Sequence, residues 1–356
     1  MFEVYDALPQ LWYTYDPNRP SVEQGPRFLQ FFALLAFHVF IKERVDVAIV
    51  ETHCGGEFDA TNFIRSPVVT AVTTLGMDHV DLLGPRIEDI AWHKAGIFKT
   101  GAQALSTEQD AGQGVESTLR ERARERNARL SFVGQSRMLP KGTMQLKPAV
   151  QRVNASLAIA AADAWLKQMS SSSELTEEDI NCGISQWSWP GRFQRIEEDN
   201  RMWFLDAAHN EMSLAVAAEW FAEESIALSR TGLKIVIFAN NSEARNTTSL
   251  LHALASTLQN HAFPVQHAIF TTYQTSRQSL NEVEARIPPS FVSRWAESMP
   301  DTVVHEKLLI SDAIGHAKLI AKDQPAHILI TGSQYLVGAS LRILDGLCGQ
   351  VSDTSA

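Results

Sequence analysis

The chain has 356 residues, of which 45% are hydrophobic and 20% charged, and its net charge is −10 at pH 7. This length is enough for two domains of ordinary size, each with its own core. The acidic balance and the lack of a dense Lys/Arg block argue against a nucleic acid or an anionic membrane as partner. Three widely separated cysteines fit no disulfide or zinc spacing, and the N-terminus has no apolar signal core. These features predict a cytoplasmic protein.

The first predicted helix begins after Pro26 and reads RFLQFFALLAFHVFIKER. It is apolar around most of its circumference, which predicts a helix buried between layers. Its apolar stretch is shorter than the about 20 residues that a bilayer span requires. On this pattern we expect His38 to be a packed core residue rather than a ligand.

Two short apolar runs follow, Val45–Val50 and Val68–Leu75, with the length and β-branched content of buried parallel strands. Glu51 follows the first run, and Asp78 and His79 follow the second. Ligands of open α/β sheets bind at the carboxyl ends of strands, so an acid and an imidazole there can converge on one cation. The carboxylate suits Mg²⁺, which accepts the imidazole nitrogen less readily. The alternative is that Glu51 and His79 are polar loop residues facing solvent.

The paired glycines 55 and 56 permit a backbone approach to a phosphate, although such a turn is weak evidence by itself. Lys94 lies in a segment with helical period, Ile87–Phe98. Acids interleaved within the basic run Arg120–Arg129 predict a solvated helix face. The other elements predicted in this half are the strands Ala102–Leu105 and Leu130–Val133 and the helices Val115–Arg129, Asn154–Met169 and Glu177–Gln186.

The second half begins with the strand Met202–Asp206, where Asp206 has the character of a helix-start residue for Ser213–Phe221. From Lys234 the pattern alternates between strand and helix, which predicts a second, smaller parallel sheet wrapped by helices. The remaining predicted elements are the strands KIVIFAN, HAIFTT and HILITG and the helices Asn246–Leu258 and Tyr335–Leu347. The predicted domains are residues 1–189 and 190–356.

Three segments resemble the central motifs of the folylpolyglutamate synthases, which belong to the Mur ligase superfamily: ETHCGGEFDATN, TTLGMDHVDLLG and AWHKAGIFK. Further similar segments are NASLA from Asn154, WPGR ending at Arg192, DAAHN from Asp206 with Ala207 in place of a glycine, and the closing TGSQYLVG. The resemblance implies a Mur-ligase-like α/β central domain with an incomplete, mostly parallel sheet, and a smaller Rossmann-like C-terminal domain. It also implies ATP-dependent addition of glutamate to a folate-like acid through an acyl phosphate.

By the same resemblance, Glu51 and His79 match the protein ligands of Mg²⁺. Lys94 matches a lysine that is carbamylated and helps to hold a second metal, and we assign Lys94 and His209 to catalysis. Asn154 matches the residue that reads adenine, with a helix N-cap as the alternative role. The residues that match positions contacting ATP are Arg192, Asp206, His209 and Asn210.

The resemblance is incomplete at two places. The family carries a phosphate-binding loop and a folate-contacting loop upstream of these motifs, and G-x-x-x-x-G-K-[ST] does not occur in this sequence. A DRD-like element of the family is replaced by Ser242–Asn246. Removing one preorganised donor already costs about 10²–10³ in rate, so the loss of a whole phosphate-binding loop should nearly abolish the use of ATP. Two other hypotheses therefore stay open. One is a relative that acts on another acidic metabolite without ATP, and the other is an inactive or truncated relative. The sequence indicates no oligomeric state.

Overall fold

The computed structural model describes residues 3–4, 26–109, 113–170, 174–229, 231–240, 247–275 and 287–345. The chain folds into two compact units. Unit 1 comprises the described residues of Met1–Ser136 and Ser156–Leu175, and unit 2 those of Arg137–Ala155 and Thr176–Ala356. The DRD-like position Ser242–Asn246 lies outside the described residues, and the boundary between residues 189 and 190 stays a prediction. In the described part of the chain, no helix has the length and apolar content needed to cross a bilayer.

Unit 1 contains a sheet of three parallel strands in the order β1–β2–β3. The strands are β1 (Val69–Val72), β2 (Gln103–Thr107) and β3 (Arg129–Val133), and the helices are α1 (Phe28–Glu43), α2 (Val80–Leu83), α3 (Ile87–Lys94), α4 (Gln113–Glu125) and α5 (Ala149–Met169), whose first residues belong to unit 2. Val115, Leu119 and Ala123 recur at every fourth position of α4 and are buried in the core of unit 1. The helix predicted over Val115–Arg129 is thus confirmed, except that it ends at Glu125 and Arg129 begins β3.

The prediction of a strand at Val45–Val50 is wrong. The segment is irregular, and Ile49 is 92% exposed. Within the described residues, β1 pairs with β2 alone, so no strand offers hydrogen bonds to this segment. A strand needs a neighbour for its N–H and C=O groups, and apolar content alone does not supply one. Glu51 therefore follows an irregular segment and not a strand.

The prediction that the first helix is buried is also wrong, although the helix itself is confirmed as α1. Ala33 is its one buried residue among those described, and Phe28 and Ile41 are mostly exposed. The sequence shows that this helix is apolar, but it does not show whether another layer of the structure covers the helix. His38 on α1 is likewise not a packed core residue, because it is half-buried and its Nε2 lies 2.9 Å from Oε2 of Glu3.

Unit 2 contains a six-stranded sheet in the order β4–β5–β9–β6–β7–β8. The strands are β4 (Gln194–Glu198), β5 (Arg201–Leu205), β6 (Leu233–Phe238), β7 (His267–Phe270), β8 (Val303–Glu306) and β9 (Ala326–Thr331), and the helices are α6 (Glu177–Gln186), α7 (Glu211–Leu228), α8 (Thr247–Asn260), α9 (Pro289–Ser298), α10 (Ile310–Ile320) and α11 (Gln334–Leu344). The strands from Lys234 onward, β6 to β9, are parallel as expected. The expectation of a smaller sheet is wrong, because among the described residues this sheet has more strands than that of unit 1, and it also includes β4, which runs antiparallel to β5.

Helices cover both faces of this sheet. One core packs side chains of α7, α8 and α9 against the strands, and a second core does so with α10 and α11. All six residues of β9 are buried, which explains its unbroken apolar sequence. The helices after β6 and β9, which are neighbours in the sheet, pack on opposite faces. A sheet of this kind leaves a crevice at the carboxyl ends of such strands, where ligands bind.

Candidate functional site

A tight loop after Glu51 is organised by the carboxylate of Asp59, whose side chain is 3% exposed. Its Oδ2 accepts hydrogen bonds from the backbone N–H groups of His53 at 2.9 Å and Cys54 at 2.8 Å. Its Oδ1 accepts from the N–H and the hydroxyl of Thr61 at 2.9 and 2.7 Å. Burial by itself raises the pKa of Asp59, but these hydrogen bonds outweigh it and hold the pKa below its ordinary value. Asp59 is thus an ionised anchor of the loop.

This loop packs tightly against the end of α3. The Glu57 N–H donates to the carbonyl of His93 at 2.8 Å, and the Asn62 side chain donates to the carbonyls of Glu57 and Gly96 at 3.0 and 3.1 Å. A Cβ atom at position 96 would lie 2.5 Å from the backbone nitrogen of Glu57. Glycine is therefore required in the KAGIFK segment for the two backbones to approach each other.

The Glu57 side chain fastens the same loop to α4. Its carboxylate pairs with the guanidinium groups of Arg122 and Arg126. The Arg122 side chain is 6% exposed and lies 4.2 Å from the ring centroid of Trp92. The prediction of a solvated face for Arg120–Arg129 is wrong at Arg122, since the half-buried Glu57 carboxylate and the Trp92 ring cover it. Sequence reasoning missed this pair because its members are 65 positions apart.

The predicted metal and carbamate residues lie around this loop. Glu51 is exposed and makes no hydrogen bond or ion pair within the described residues. His79 stands at the start of α2 in a left-handed conformation, φ 53°, with its side chain 41% exposed and Nε2 4.0 Å from Oδ2 of Asp78. Lys94 is the half-buried last residue of α3. Convergence of Glu51 and His79 on one cation stays a prediction.

The structure places Lys94 in the neighbourhood of the Cys54 thiol. Burial raises the pKa of Cys54; the Lys94 charge opposes this rise, and the charges of Asp59 and Asp78 add to it. The charges of Lys94 and Asp78 thus both act on the Cys54 thiol. No group of three or more His, Cys, Asp or Glu side chains is arranged to hold a metal ion in the part of the chain that the structure describes.

In unit 2, the buried carboxylate of Asp206 joins two of the predicted nucleotide loops. It follows β5, is 2% exposed, and accepts from the N–H groups of Phe193 at 3.0 Å and Ala208 at 2.9 Å. The Ala207 N–H also donates to the carbonyl of Gly191 at 3.0 Å. Burial raises the pKa of Asp206 to about 6, although the nearby Arg192 charge and the two N–H donors oppose this rise. Arg192 and Asp206 are thereby brought together.

His209 and Asn210 complete the same edge of the sheet. The His209 Nδ1 lies 2.9 Å from the Ala207 carbonyl oxygen, which requires a proton on Nδ1 and makes Nε2 the ring nitrogen that can accept one. The Asn210 side chain caps α7 by accepting from the Ser213 N–H at 2.9 Å. The interpretation of Asp206 as the helix-start residue is therefore wrong, because Asn210 has that role and Asp206 bonds to loops.

The alternative role of Asn154 as an N-cap is wrong as well. The helix α5 already begins at Ala149, so Asn154 lies inside it. Its side chain is half-buried and donates to Oε1 of Gln151 at 3.2 Å. A contact between Asn154 and adenine stays a prediction.

Comparison with known proteins identifies the family. No protein-family model matches the chain. The folylpolyglutamate synthase of Neurospora crassa is 35% identical over 371 residues, covering 97% of this chain and 69% of that protein. The chain belongs to the folylpolyglutamate synthase family. The folylpolyglutamate synthase of Saccharomyces cerevisiae strain FostersO is 33% identical over 97% of this chain and 66% of that protein. The chain thus spans about two thirds of the length of these relatives.

Solved structures of folylpolyglutamate synthases share the fold. The Mycobacterium tuberculosis enzyme complexed with ADP and AMPPCP gives a TM-score of 0.72 at 23% identity, covering 89% of this chain and 72% of that one. E. coli FolC in complex with DHPP and ADP gives a TM-score of 0.66 at 23% identity, covering 90% and 72%. The α/β fold expected from the resemblance is confirmed.

The close approach of the loop to α3 predicts the effect of Gly96→Ala. The added Cβ must displace the backbone at Glu57, so we expect the free energy of unfolding to fall by about 1–3 kcal/mol in denaturant titration. Gly183→Ala is the control, because a Cβ there meets nothing within 4 Å and α6 gains a better helix former. Equal stability of Gly96→Ala and the wild type would show that the loop does not pack on α3 as described.

Asp206 predicts a specific pH dependence of stability. Its folded pKa of about 6 exceeds the ordinary 3.8, so the folded chain holds this proton more tightly than the unfolded chain. The contribution of Asp206 to the free energy of unfolding therefore falls as the pH rises from about 4 to 6 and is constant above that. Asp206→Asn should remove a fall of up to about 3 kcal/mol from the pH profile of denaturant titrations. Asp301→Asn, at an exposed position, is the control. Parallel profiles for the wild type and Asp206→Asn would contradict the burial of an ionisable carboxyl at this site.

Proposed function

We propose that this chain is an ATP-dependent ligase that adds glutamate to a folate-like acid. The observation that carries the proposal is the 35% identity to a folylpolyglutamate synthase over 97% of the chain. In the proposed reaction, the γ-phosphoryl group of ATP passes to a substrate carboxylate, giving ADP and an acyl phosphate. The glutamate amine then attacks the acyl carbon, forming the amide and releasing phosphate.

Unit 2 supplies the groups that we assign to the nucleotide. Arg192 carries a planar set of donors suited to phosphate oxygens, and the Asp206 carboxylate accepts from the N–H group of Phe193, the next residue along the chain. Asn210 lies at the start of α7, whose N-terminus favours negative charge. Asn154 is assigned to adenine. Relatives of this fold were solved with ADP and AMPPCP, which supports a nucleotide as substrate here.

His209 is assigned to catalysis. Its Nδ1–H is directed at the Ala207 carbonyl, so Nε2 is the nitrogen that can take a proton from the glutamate ammonium group, which leaves the neutral amine to attack the acyl carbon. A half-buried imidazole at the edge of a sheet has the access that this role requires. The hydrogen bond to the backbone fixes both the tautomer and the direction of the ring.

Unit 1 supplies the residues that we assign to Mg²⁺. Glu51 offers a carboxylate without a partner in the described residues, and Mg²⁺ is commonly held by one or two carboxylates together with water and phosphate. The chemistry of Glu51 therefore fits the ion, and His79 is assigned as the second protein ligand. When bound, Mg²⁺ supplies charge neutralisation for the transferring phosphoryl group. Lys94, once carbamylated, would place an anion in the region where Asp78 acts, and two such anions favour a second cation.

The proposal predicts binding of Mg·ATP by the full chain in isothermal titration calorimetry. Arg192→Ala should weaken binding by roughly 10- to 100-fold, because a hydrogen bond to a charged group contributes about 1.5–3 kcal/mol. Arg65→Ala, at an exposed position of unit 1, is the matched control and should bind as the wild type does. No heat at millimolar nucleotide would remove the ligase proposal and favour a relative that works without ATP.

The carbamate role predicts that Lys94→Ala abolishes glutamate addition to tetrahydrofolate and that added bicarbonate does not restore it. Alanine has no amine to carbamylate, so the carbamate anion cannot form. Lys141→Ala removes an exposed lysine instead and should leave the rate unchanged. Activity that survives in Lys94→Ala would show that a carbamate at this position is not needed.

A further inference from the structure

Three histidines form a continuous row in unit 2. The Nδ1 of His267 lies 3.1 Å from Nε2 of His305, and Nδ1 of His305 lies 3.1 Å from Nε2 of His316. The ring centroids are 5.3 Å apart in the first pair and 4.5 Å apart in the second. Each ring is half-buried. We call these three residues the histidine chain.

The fold explains why the rings meet. His267 begins β7, and His305 lies in β8 directly opposite Ile269. Because side chains alternate along a strand, His267 and His305 stand on the same face of the sheet as Ile269. Ile269 packs in the core that includes residues of α10, the helix that carries His316. The histidine chain thus connects the edge strand β8 to its neighbours β7 and α10.

The geometry sets how many protons the row can hold. A neutral imidazole has one N–H and one acceptor nitrogen, so three neutral rings can satisfy both contacts. One added proton is also compatible, because His305 can then donate from both nitrogens to its two neighbours. With a second added proton, two N–H groups must face each other across at least one contact. That contact changes from a hydrogen bond to a repulsion.

We propose that the histidine chain is a one-proton site, and that uptake of a second proton loosens β8 from β7 and α10. This makes one edge of the unit 2 sheet sensitive to mild acid. The site lies outside the loops assigned to nucleotide and rests on its own contacts, so it does not depend on the proposed ligase function.

The surroundings disfavour positive charge on the row. Burial is the largest cause that lowers the pKa of each ring, and the neighbouring histidines contribute further for His305 and His316. Lys307, which follows β8, adds repulsion to both of these residues. Glu306 precedes Lys307 and Asp312 lies one turn before His316, but neither carboxylate is among the charges that act on the three rings.

The sign of the effect follows from these shifts. The rings bind protons less readily in the folded chain than in the unfolded one, so the histidine chain contributes stability at neutral pH and loses it as the pH falls through the usual histidine range. For each proton that is taken up when β8 separates from its neighbours, the equilibrium constant for this opening rises about tenfold per unit decrease in pH.

A single metal ion is a poorer occupant than a proton. His305 presents a different ring nitrogen to each of its two neighbours, so the four nitrogens form two separate contacts and do not converge on one point. A mononuclear site needs its ligand nitrogens directed at one ion, at about 2.0–2.1 Å for zinc. The described residues also contain no group of three ligands arranged for a metal.

The test is an NMR titration of the histidine rings in the full chain between pH 8 and 4.5. We expect the three rings to shift together in a first step and a second step to occur at lower pH. Independent titration of the three rings, each in the usual range, would overturn the proposal. So would binding of one equivalent of Zn²⁺ that displaces the titrating protons from all three rings.

Amide exchange measures the consequence for β8. The N–H groups of Val303 and Lys307 donate to the carbonyls of Gln266 and Phe270, each at 2.9 Å. Below pH 6.5 their protection factors should fall up to about tenfold per pH unit more than that of Ala326 in β9. His305→Phe should abolish this difference, whereas His252→Gln, at an exposed position of α8, should retain it. An unchanged difference in His305→Phe would contradict the proposal, and the wild-type ring titration decides the matter if that variant fails to fold.

Discussion

The arrangement of the two unit 2 loops that we assign to a nucleotide depends on the buried carboxylate of Asp206. Its two oxygens accept from backbone N–H groups on both sides, at Phe193 and at Ala208. The bond to Phe193, the residue after WPGR, holds that segment against the DAAHN segment at the carboxyl end of β5, and the bond to Ala208 lies within DAAHN. The cost is the burial of an acid, which raises its pKa to about 6. Arg192 opposes that rise, so the arginine assigned to phosphate also stabilises the group that holds its loop.

Unit 1 uses the same device at Asp59, where four hydrogen bonds organise the loop after Glu51. The two carboxylates differ in the direction in which the protein shifts their pKa. At Asp59 the donors outweigh burial and the carboxylate stays ionised, whereas at Asp206 burial is the stronger effect. In unit 1, Gly96 permits the backbone of the loop to approach the segment that follows α3, next to Lys94.

The sequence predicts those features that depend on local periodicity. The strand–helix alternation of unit 2 and the buried face of α4 follow from the spacing of apolar residues. Periodicity cannot tell whether a partner exists, which is why Val45–Val50 is not a strand and α1 is exposed. The family motifs locate Arg192 and Asp206. They do not show that Asn210 caps α7 whereas Asp206 accepts hydrogen bonds from the loop backbone. The pairing of Glu57 with Arg122 joins positions far apart in the chain, and no local pattern contains it.

The central claim is that the loops joined by Asp206 bind a nucleotide. Amide NMR spectra of the full chain, recorded while Mg·AMPPCP is added, test it most directly. The account predicts saturable shifts at Phe193 and Ala208, together with the Arg192 side chain, and smaller shifts in β7 and β8. Shifts confined to other regions, or no saturable shift at millimolar nucleotide, would contradict it.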